Sequence, residues 1–158
     1  MNKLYQTTLL AACIGMVLIL AAACAPISPP APAVTPAPSN SIVDIVWRWT
    51  SVSNRTTGVT TTVADPENYL IVFRADGTLG GQADCNAFTG TYTQENGLII
   101  TLGPMTMAAC GETSLDQQYL ELLGAIVAGG PDGEGGLALE TAGGEQRMSF
   151  RGGGAATQ

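Results

Sequence analysis

The pattern of apolar and polar positions after residue 41 predicts a small domain made mostly of short β-strands. Runs rich in β-branched and aromatic residues, separated by turn residues, are typical of strands. The dipeptides Asp76-Gly77 and Asn96-Gly97 are hairpin signals between two pairs of such runs. The predicted strands cover 42–49, 69–74, 78–81, 88–93, 98–102, 137–140 and 147–151, with a loop or an edge hairpin over 54–67.

One segment has helical periodicity instead. Its apolar positions at helical spacing are Leu115, Tyr119, Leu122, Leu123 and Ile126. Ser114 with Gln117 three residues later predicts a capping box, and Gly129-Gly130-Pro131 predicts the end of the helix. We therefore expect a mostly β fold with one helix (α+β): a small antiparallel, barrel-like curled sheet packed with one α-helix.

The first forty residues have a pattern that indicates export rather than folding. Lys3 precedes an apolar run over 9–23, which is shorter than the ~20 residues needed to cross a bilayer, so a removable secretory signal is predicted. Ala21-Ala22-Ala23-Cys24 looks like a bacterial lipobox, which makes Cys24 the predicted lipidated residue. Cys13 also follows a matching tripeptide, but the apolar stretch before it is too short. The alternatives are an ordinary signal peptide with an incidental cysteine and a retained membrane anchor.

The segment after Cys24 alternates proline with small residues, which favours extended polyproline II. Such a tether would hold a domain up to roughly 50 Å from a membrane. The predicted organisation is a signal peptide over 1–23, a lipidated cysteine and tether over 24–41, one domain over 42–151 and a disordered tail over 152–158. We expect a monomer on the extracytoplasmic side of the cell envelope, attached to the membrane by its N-terminal lipid.

Charge and composition remove several classes of function. The chain carries 13 acidic residues against 6 basic ones, for a net charge of -7, and such a surface repels nucleic acids. It has no histidine, the residue used most often in acid–base catalysis and in zinc sites. Lys3, the only lysine, lies in the predicted signal, so Schiff-base chemistry and a phosphate-loop lysine are excluded from the domain. No catalytic residue and no cofactor is expected.

Two sequence elements resemble a known family. Residues 73–92 match the pattern F-x-x-D-G-x-[LV]-x-G-x-x-x-C-N-x-[FY]-x-G-x-Y, and residues 106–110 match T-M-x-x-C. Both closely resemble the signature of META/HslJ-like domains. The positions that carry this motif, besides the two cysteines, are Asp76, Gly77, Asn86, Gly90, Tyr92 and Thr106. The family usually has a further strand between its helix and the final strands, where this chain is glycine-rich over 128–136, so the strand count there stays open.

The resemblance implies a function without chemistry. HslJ-like proteins are linked to heat shock and antibiotic tolerance in the envelope, and no catalytic residues are established for the family. This favours a non-catalytic envelope protein that acts by binding an unknown envelope protein or by supporting envelope integrity. Because the family fold looks like a small lipid-binding pilotin barrel, a second hypothesis is a carrier for an acyl chain or an apolar peptide. A third is an inhibitor of an extracytoplasmic hydrolase.

Cys85 and Cys110 are the sharpest pair of candidate site residues. In an exported protein two cysteines favour a disulfide, worth roughly 3 kcal/mol for a loop of this length. The alternatives are two separate buried thiols and, less favoured without a histidine, a catalytic thiol. Asn86 has two interpretations: a ligand-facing amide, and an amide that fixes the backbone through an Asx-type hydrogen bond, which we favour.

The remaining candidates are best explained by structure. Gly77, Gly81 and Gly90 are interpreted as turn or bulge positions that need permissive dihedral angles. Trp47 and Trp49, two residues apart, point to one face of a strand, where core packing is favoured over an exposed binding patch. Four acidic residues are candidates for an acid pair or a calcium cluster, but no metal is expected because they form no D-x-D-x-D-G series. These residues are Asp76, Asp84, Glu95 and Glu112. The acidic loop over 131–136 resembles a calcium-binding loop only in composition and lacks the ligand spacing of one.

Overall fold

The computed structural model describes residues 41–157, which form nine β-strands, one α-helix and two short 3₁₀ turns. The strands are β1 (Ile45–Asn54), β2 (Thr60–Thr62), β3 (Tyr69–Phe73), β4 (Thr78–Ala83), β5 (Asn86–Thr93), β6 (Ile99–Met105), β7 (Ile126–Pro131), β8 (Gly136–Thr141) and β9 (Gln146–Ala155). Helix α1 covers Asp116–Gly124. The predicted signal, Cys24 and the tether lie outside the described residues. Within 41–157 no helix has the length and apolar character required to cross a membrane.

The nine strands belong to one antiparallel sheet in the order β6-β5-β4-β3-β1-β9-β8-β7, with β2 beside β1. Strand β1 is central: its first half pairs with β3, its second half with β2, and its other edge with β9. The two ends of the sheet, β6 and β7, come close to each other. Gly97, in the turn before β6, shows this, since a Cβ atom added there would overlap the carbonyl oxygen of Val127 in β7. The sheet is therefore a curled half-barrel with one helix, which confirms the predicted fold class.

Helix α1 closes the core by inserting an aromatic ring into the curled sheet. The ring centroid of Tyr119 lies 5.1 Å from Trp49, 5.7 Å from Tyr69, 6.2 Å from Phe88 and 6.4 Å from Phe150. These four partners stand on β1, β3, β5 and β9, so one helical residue contacts strands from across the sheet. Edge-on and tilted aromatic contacts of this kind add to the free energy of burial. Trp49 is fully buried and Trp47 nearly so, as predicted for core residues.

The C-terminal end of the helix differs from the prediction. α1 ends at Gly124, and Ile126, predicted as its last apolar position, is the first residue of β7. The glycine-rich segment that was predicted to stop the helix is itself a strand paired with β8. Glycines can form a strand because backbone hydrogen bonds do not depend on the side chain. Gly129 also avoids a clash, since a Cβ atom at this position would lie only 2.6 Å from Leu139. The strand whose presence was left open therefore exists.

The start of the helix also differs. Leu115 occupies the cap position and makes no side-chain capping bond, so the capping box of Ser114 and Gln117 does not form. Ser114 Oγ instead accepts the N–H of Asp116 at 3.2 Å, and the hydroxyl of Tyr69 accepts the N–H of Leu115 at 2.8 Å. A strand residue thus supplies part of the cap that local sequence was expected to provide.

The last strand is longer than predicted. β9 continues to Ala155, which pairs with Ile45, so residues 152–155 belong to the sheet and the predicted disordered tail is wrong for them. Their glycines carry no apolar side chains, and the sequence pattern therefore gives no strand signal there. Strand β1 is likewise displaced: it begins at Ile45 and runs to Asn54, beyond the predicted 42–49.

Candidate functional site: the disulfide-braced loop

The tight turn between β4 and β5 presents the two central residues of the signature. Asp84 has a left-handed backbone with φ 54°, which is uncommon outside glycine, and its N–H donates to the carbonyl oxygen of Asn68 at 2.8 Å. Cys85 follows and is exposed, whereas Asn86 points inward and is 4% exposed. The turn therefore separates a surface sulfur from a buried amide in consecutive residues.

A disulfide joins this turn to the segment after β6. Cys85 and Cys110 are bonded, with their Cα atoms 5.4 Å apart, which is an ordinary spacing for a disulfide. Residues 106–113, which we call the braced loop, lie between the end of β6 and the approach to α1. The predicted disulfide is thus present, and it fixes the braced loop to the β4–β5 turn.

Asn86 holds the same loop by hydrogen bonds. Its Nδ2 donates to the carbonyl oxygen of Ala108 at 3.0 Å, to Sγ of Cys110 at 3.2 Å and to Oδ2 of Asp116 at 3.3 Å. Its Oδ1 accepts the N–H of Ala108 at 2.7 Å and the hydroxyl of Thr106 at 3.2 Å. These bonds engage both ends of the amide, which is the arrangement of a buried polar group that orders the backbone.

Thr106 extends the sheet into the braced loop. Its N–H donates to the carbonyl oxygen of Ala87 at 2.9 Å, and its Oγ1 accepts the N–H of Ala87 at 2.9 Å. The side chain thereby imitates the backbone carbonyl of a neighbouring strand, because it takes the bond that a ladder partner would take. The first residue of the loop is consequently hydrogen-bonded to β5 through both its backbone and its side chain.

The other signature residues lie at the turn between β3 and β4. Oδ1 of Asp76 accepts the N–H of Thr78 at 2.9 Å and its hydroxyl at 2.6 Å, and these bonds hold the pKa of the Asp76 carboxyl below its usual value. Gly77 has φ 82°, as a turn glycine requires. The hydroxyl of Tyr92 donates to the carbonyl oxygen of Arg74 at 2.8 Å. Burial, and then the charges of Asp44 and Asp76, raise the pKa of Tyr92.

Two signature glycines are explained by close approach of chains. Gly81 does not have a positive φ, so the predicted need for a permissive dihedral is wrong there; a Cβ atom would overlap the carbonyl oxygen of Leu70 and the ring of Phe88. At Gly90 a Cβ atom would overlap the carbonyl oxygen of Thr101, beside the irregularity in the β5–β6 register. Gly90 has no positive φ either, so the predicted need for a permissive dihedral angle is wrong there too, and the extra residue of the neighbouring register shift lies in β6.

The acidic candidates do not converge. No group of three or more His, Cys, Asp and Glu side chains in residues 41–157 is arranged to hold a metal ion. In the loop after β7, Oδ1 of Asp132 accepts the N–H groups of Glu134 and Gly136, both at 2.8 Å, so this acid organises its own turn. The sequence motifs therefore mark an architectural site, in which a disulfide, an amide and a hydroxyl hold one loop.

Sequence reasoning missed what the braced loop presents. Met107 is 87% exposed although both its neighbours in the motif, Thr106 and Cys110, are fixed to the sheet. A depression of about 400 Å³ lies between the loop and α1, and its lining includes Met105, Met107, Leu120, Asp116 and Glu121. The T-M-x-x-C motif marks this loop in the sequence, but the motif does not indicate which of its side chains is exposed to solvent.

Comparison with known proteins agrees with this architecture. The model of the META domain family matches residues 41–152, which is more than half of the chain, and the chain belongs to that family. A solved structure, a DUF4847 family protein from Bacteroides vulgatus ATCC 8482, is similar in fold with a TM-score of 0.50 at 16% identity. That match covers 70% of this chain and 93% of the other. Comparison with curated protein sequences finds no match.

Proposed function

We propose that this META-domain protein is a non-catalytic binding module held on the extracytoplasmic side of a membrane by a lipid on Cys24. The signal-like N-terminus and the proline-rich tether support the anchored position. The Cys85–Cys110 disulfide supports it as well, because such bonds persist in oxidising compartments. Membership of the META family, for which the resemblance implies no catalytic residues, agrees with a role in binding.

The observation that carries the binding role is Met107. A single exposed apolar side chain needs no special explanation on most surfaces. Here, however, the loop that bears it is fixed by the disulfide and by Asn86, and it borders a depression that also contains Met105 and Leu120. A partner that binds a rigid loop does not have to order it, so less conformational entropy is lost on association. Methionine is also common at adaptable binding surfaces.

The anchor is tested with matched cysteine variants of the full-length protein expressed in a bacterial host. Cys24→Ser is expected to abolish lipid labelling and to move the protein from the detergent phase to the aqueous phase. Cys13→Ser should change neither property, because Cys13 lies inside the predicted signal. Intact-mass measurement of purified protein reports the acyl mass directly. A Cys24→Ser protein that still carries the lipid mass would contradict the anchor.

The binding role is tested by site-specific photocrosslinking in intact cells. A photoreactive side chain at position 107 should give a discrete adduct, whereas the same group at position 59 should not, since Val59 is also exposed but lies before β2. The adduct at 107 should disappear in the Asn86→Ala protein, in which the loop loses its amide bonds. Equal labelling at both positions, or none at 107, would reject the role.

An inhibitor of an extracytoplasmic hydrolase is the second candidate, and the same braced loop favours it. A disulfide-braced loop with one projecting side chain is a shape that a hydrolase cleft can accept. Purified protein, before and after reduction, would be assayed against peptidase and glycosidase activities of the envelope. By contrast, the space between helix and sheet where a carried chain would lie is occupied by the buried side chains of Tyr119, Leu122 and Leu123.

A further inference from the structure

The depression between the braced loop and α1 is lined by apolar side chains from both segments. Met105 and Leu120 are partly buried and pack against the core, whereas Met107 is exposed. All three side chains line this one depression, which we call the braced-loop depression. Because the disulfide fixes one wall and helix packing fixes the other, an apolar side chain that enters the depression does not have to order it.

Two carboxylates line the same depression, and neither is neutralised. Asp116 and Glu121 both belong to its α1 wall, and no basic residue is among the residues that line it. Asp116 Oδ2 accepts a hydrogen bond from Asn86 Nδ2 at 3.3 Å, but that amide is neutral and leaves the charge uncompensated. Neither carboxylate takes part in an ion pair within residues 41–157.

The surroundings of the depression are acidic as well. Residues 75–146 contain ten of the 13 acidic residues of the chain and no arginine or lysine. A second depression, of about 400 Å³ on the other side of α1, is lined by Glu121 and Glu145 and again by no basic residue. Four arginines of the described part of the chain are bound in ion pairs elsewhere. They are Arg48 and Arg151 with Glu67, and Arg55 and Arg147 with Glu140.

Arg74, the arginine outside those pairs, lies at the other end of the sheet. It directly follows β3, whereas the β4–β5 turn is beside the start of β3, where the N–H of Asp84 donates to the carbonyl oxygen of Asn68. The five residues of β3 separate these two ends by about 13 Å. The charge of Arg74 also acts on the carboxylate of Asp76 beside it. The acids of the braced-loop depression therefore have no basic partner of their own.

We propose that the braced-loop depression binds a cationic amphipathic segment of a partner protein, in which an apolar side chain is flanked by lysine or arginine. The apolar side chain lies against Met107 and Leu120, and its basic neighbours pair with Asp116 and Glu121. These two acids are five residues apart in α1, or about 7.5 Å along the helix axis, a span that nearby basic residues of one segment can cover. This inference rests on the proposed binding role and names the chemistry of the partner.

Charge selects this partner from those that an apolar depression could accept. Anionic headgroups, acidic polysaccharides and acidic peptides are repelled by the uncompensated carboxylates. An uncharged apolar ligand covers the methionines but leaves both carboxylates without a partner. A segment with basic residues beside its apolar side chain satisfies both features, and opposite charges also accelerate its encounter with the site.

The test uses the whole protein and three fluorescently labelled synthetic peptides of about twelve residues. The first peptide combines Lys and Leu in an amphipathic pattern, the second has Glu in place of each Lys, and the third has Ser in place of each Leu. Fluorescence polarisation at about 50 mM salt should show that the first binds at least about tenfold more tightly than the other two. Raising the salt to about 500 mM should weaken its binding.

Matched charge reversals locate the binding on the protein. Glu121→Lys should weaken the binding of the Lys–Leu peptide at least about tenfold. Glu134→Lys is the control, because Glu134 is also exposed and the net charge changes equally, but it lies in the loop between β7 and β8. It should change the affinity by less than about twofold. Met107→Gln should also weaken binding, whereas Val59→Gln, at an exposed position before β2, should not.

Three outcomes would overturn the inference. The first is equal weakening by Glu121→Lys and Glu134→Lys, which would mean attraction by net charge alone. The second is no binding of the Lys–Leu peptide, and the third is a preference for the Glu-containing peptide or for anionic vesicles. The crosslink at position 107 reports a partner of any chemistry. A crosslink without peptide binding would therefore remove the cationic partner and keep the binding role, whereas loss of the crosslink would remove the binding role itself.

Discussion

Strands β3–β6 with the braced loop form one half of the sheet, and strands β7–β9 form the other, and different interactions stabilise them. The first half contains the disulfide and the bonds of Asn86, which join its turn to the start of α1. The second half contains no cysteine and depends on strand pairing and on the Arg55–Glu140–Arg147 ion pairs. Both halves meet at β1 and share Tyr119 as a core residue. The half that presents the candidate site is the half in which a loop has been made rigid.

Removing the disulfide should have the largest effect on this comparison. Cys85→Ser with Cys110→Ser is expected to lower the free energy of unfolding by about 3 kcal/mol, because the unfolded chain regains the entropy of an open loop. Denaturant unfolding measures the loss. Amide hydrogen exchange should accelerate in residues 106–113 and stay unchanged in β8 and β9. A loss below about 1 kcal/mol would mean that Asn86 alone holds the loop.

Substitution of closely packed glycines should have the next largest effect on stability, and it should do so in both halves of the sheet. Gly81→Ala is expected to lower the free energy of unfolding by about 2 kcal/mol, because the methyl group would overlap Leu70 and Phe88. Gly129→Ala in β7 should have a similar effect. Gly80→Ala is the control and should change stability by less than about 0.5 kcal/mol, since its Cβ has ordinary contacts. Equal effects at Gly80 and Gly81 would refute the packing explanation.

The shared core residue carries a defect that can be removed. Tyr119 is fully buried, and among the described residues its hydroxyl is the one buried side-chain polar atom with no hydrogen-bond partner. Tyr119→Phe should therefore raise the free energy of unfolding by about 1 kcal/mol. Tyr69→Phe is the matched control and should lower it by a similar amount, because the N–H of Leu115 would lose its acceptor. Thermal and denaturant unfolding distinguish the two signs.

The ion pairs of the second half should contribute less. Glu140→Gln is expected to lower the free energy of unfolding by no more than about 1 kcal/mol, because Arg55 and Arg147 are partly exposed and water screens both pairs. High salt should shrink the difference from the unmodified protein. Glu145→Gln, which removes an exposed charge outside these pairs, is the control. A larger, salt-independent loss would contradict the contrast between the halves.

The smallest effect is expected at the β3–β4 turn, as a pH dependence. The pKa of Asp76 is lowered in the folded protein, so its contribution is present above the unfolded value, near 3.8, and is lost as the pH falls through the folded pKa. Asp76→Asn should therefore reduce the loss of stability on acidification in that range. Urea unfolding at about pH 3 and about pH 6, one on each side of the normal Asp pKa, would measure how much the free energy of unfolding changes. An unchanged acid dependence would mean that the bonds from Thr78 do not favour the carboxylate.

Much of the first half of the sheet was predictable because short stretches of its sequence contain the signals for its turns and for its disulfide. Asp76-Gly77 predicted the hairpin between β3 and β4, Asn96-Gly97 predicted the one between β5 and β6, and the two cysteines were predicted to form a disulfide. The exposure of Met107 was not predictable, because an apolar letter between a threonine and a cysteine fits a buried and an exposed position equally well.

The sequence by itself determined the class of fold, the burial of Trp47 and Trp49, the apolar face of the helix and the cysteine pair. Each of these depends on the type of side chain at particular positions. Burial of apolar side chains is favourable, so their spacing along the chain indicates which face of an element packs inward. Only the tertiary structure decided that 126–131 is a strand, that β9 continues through its glycines and that Tyr69 helps to cap α1. Those outcomes depend on backbone groups finding partners that are distant in the chain, and a partner at that distance leaves no local pattern.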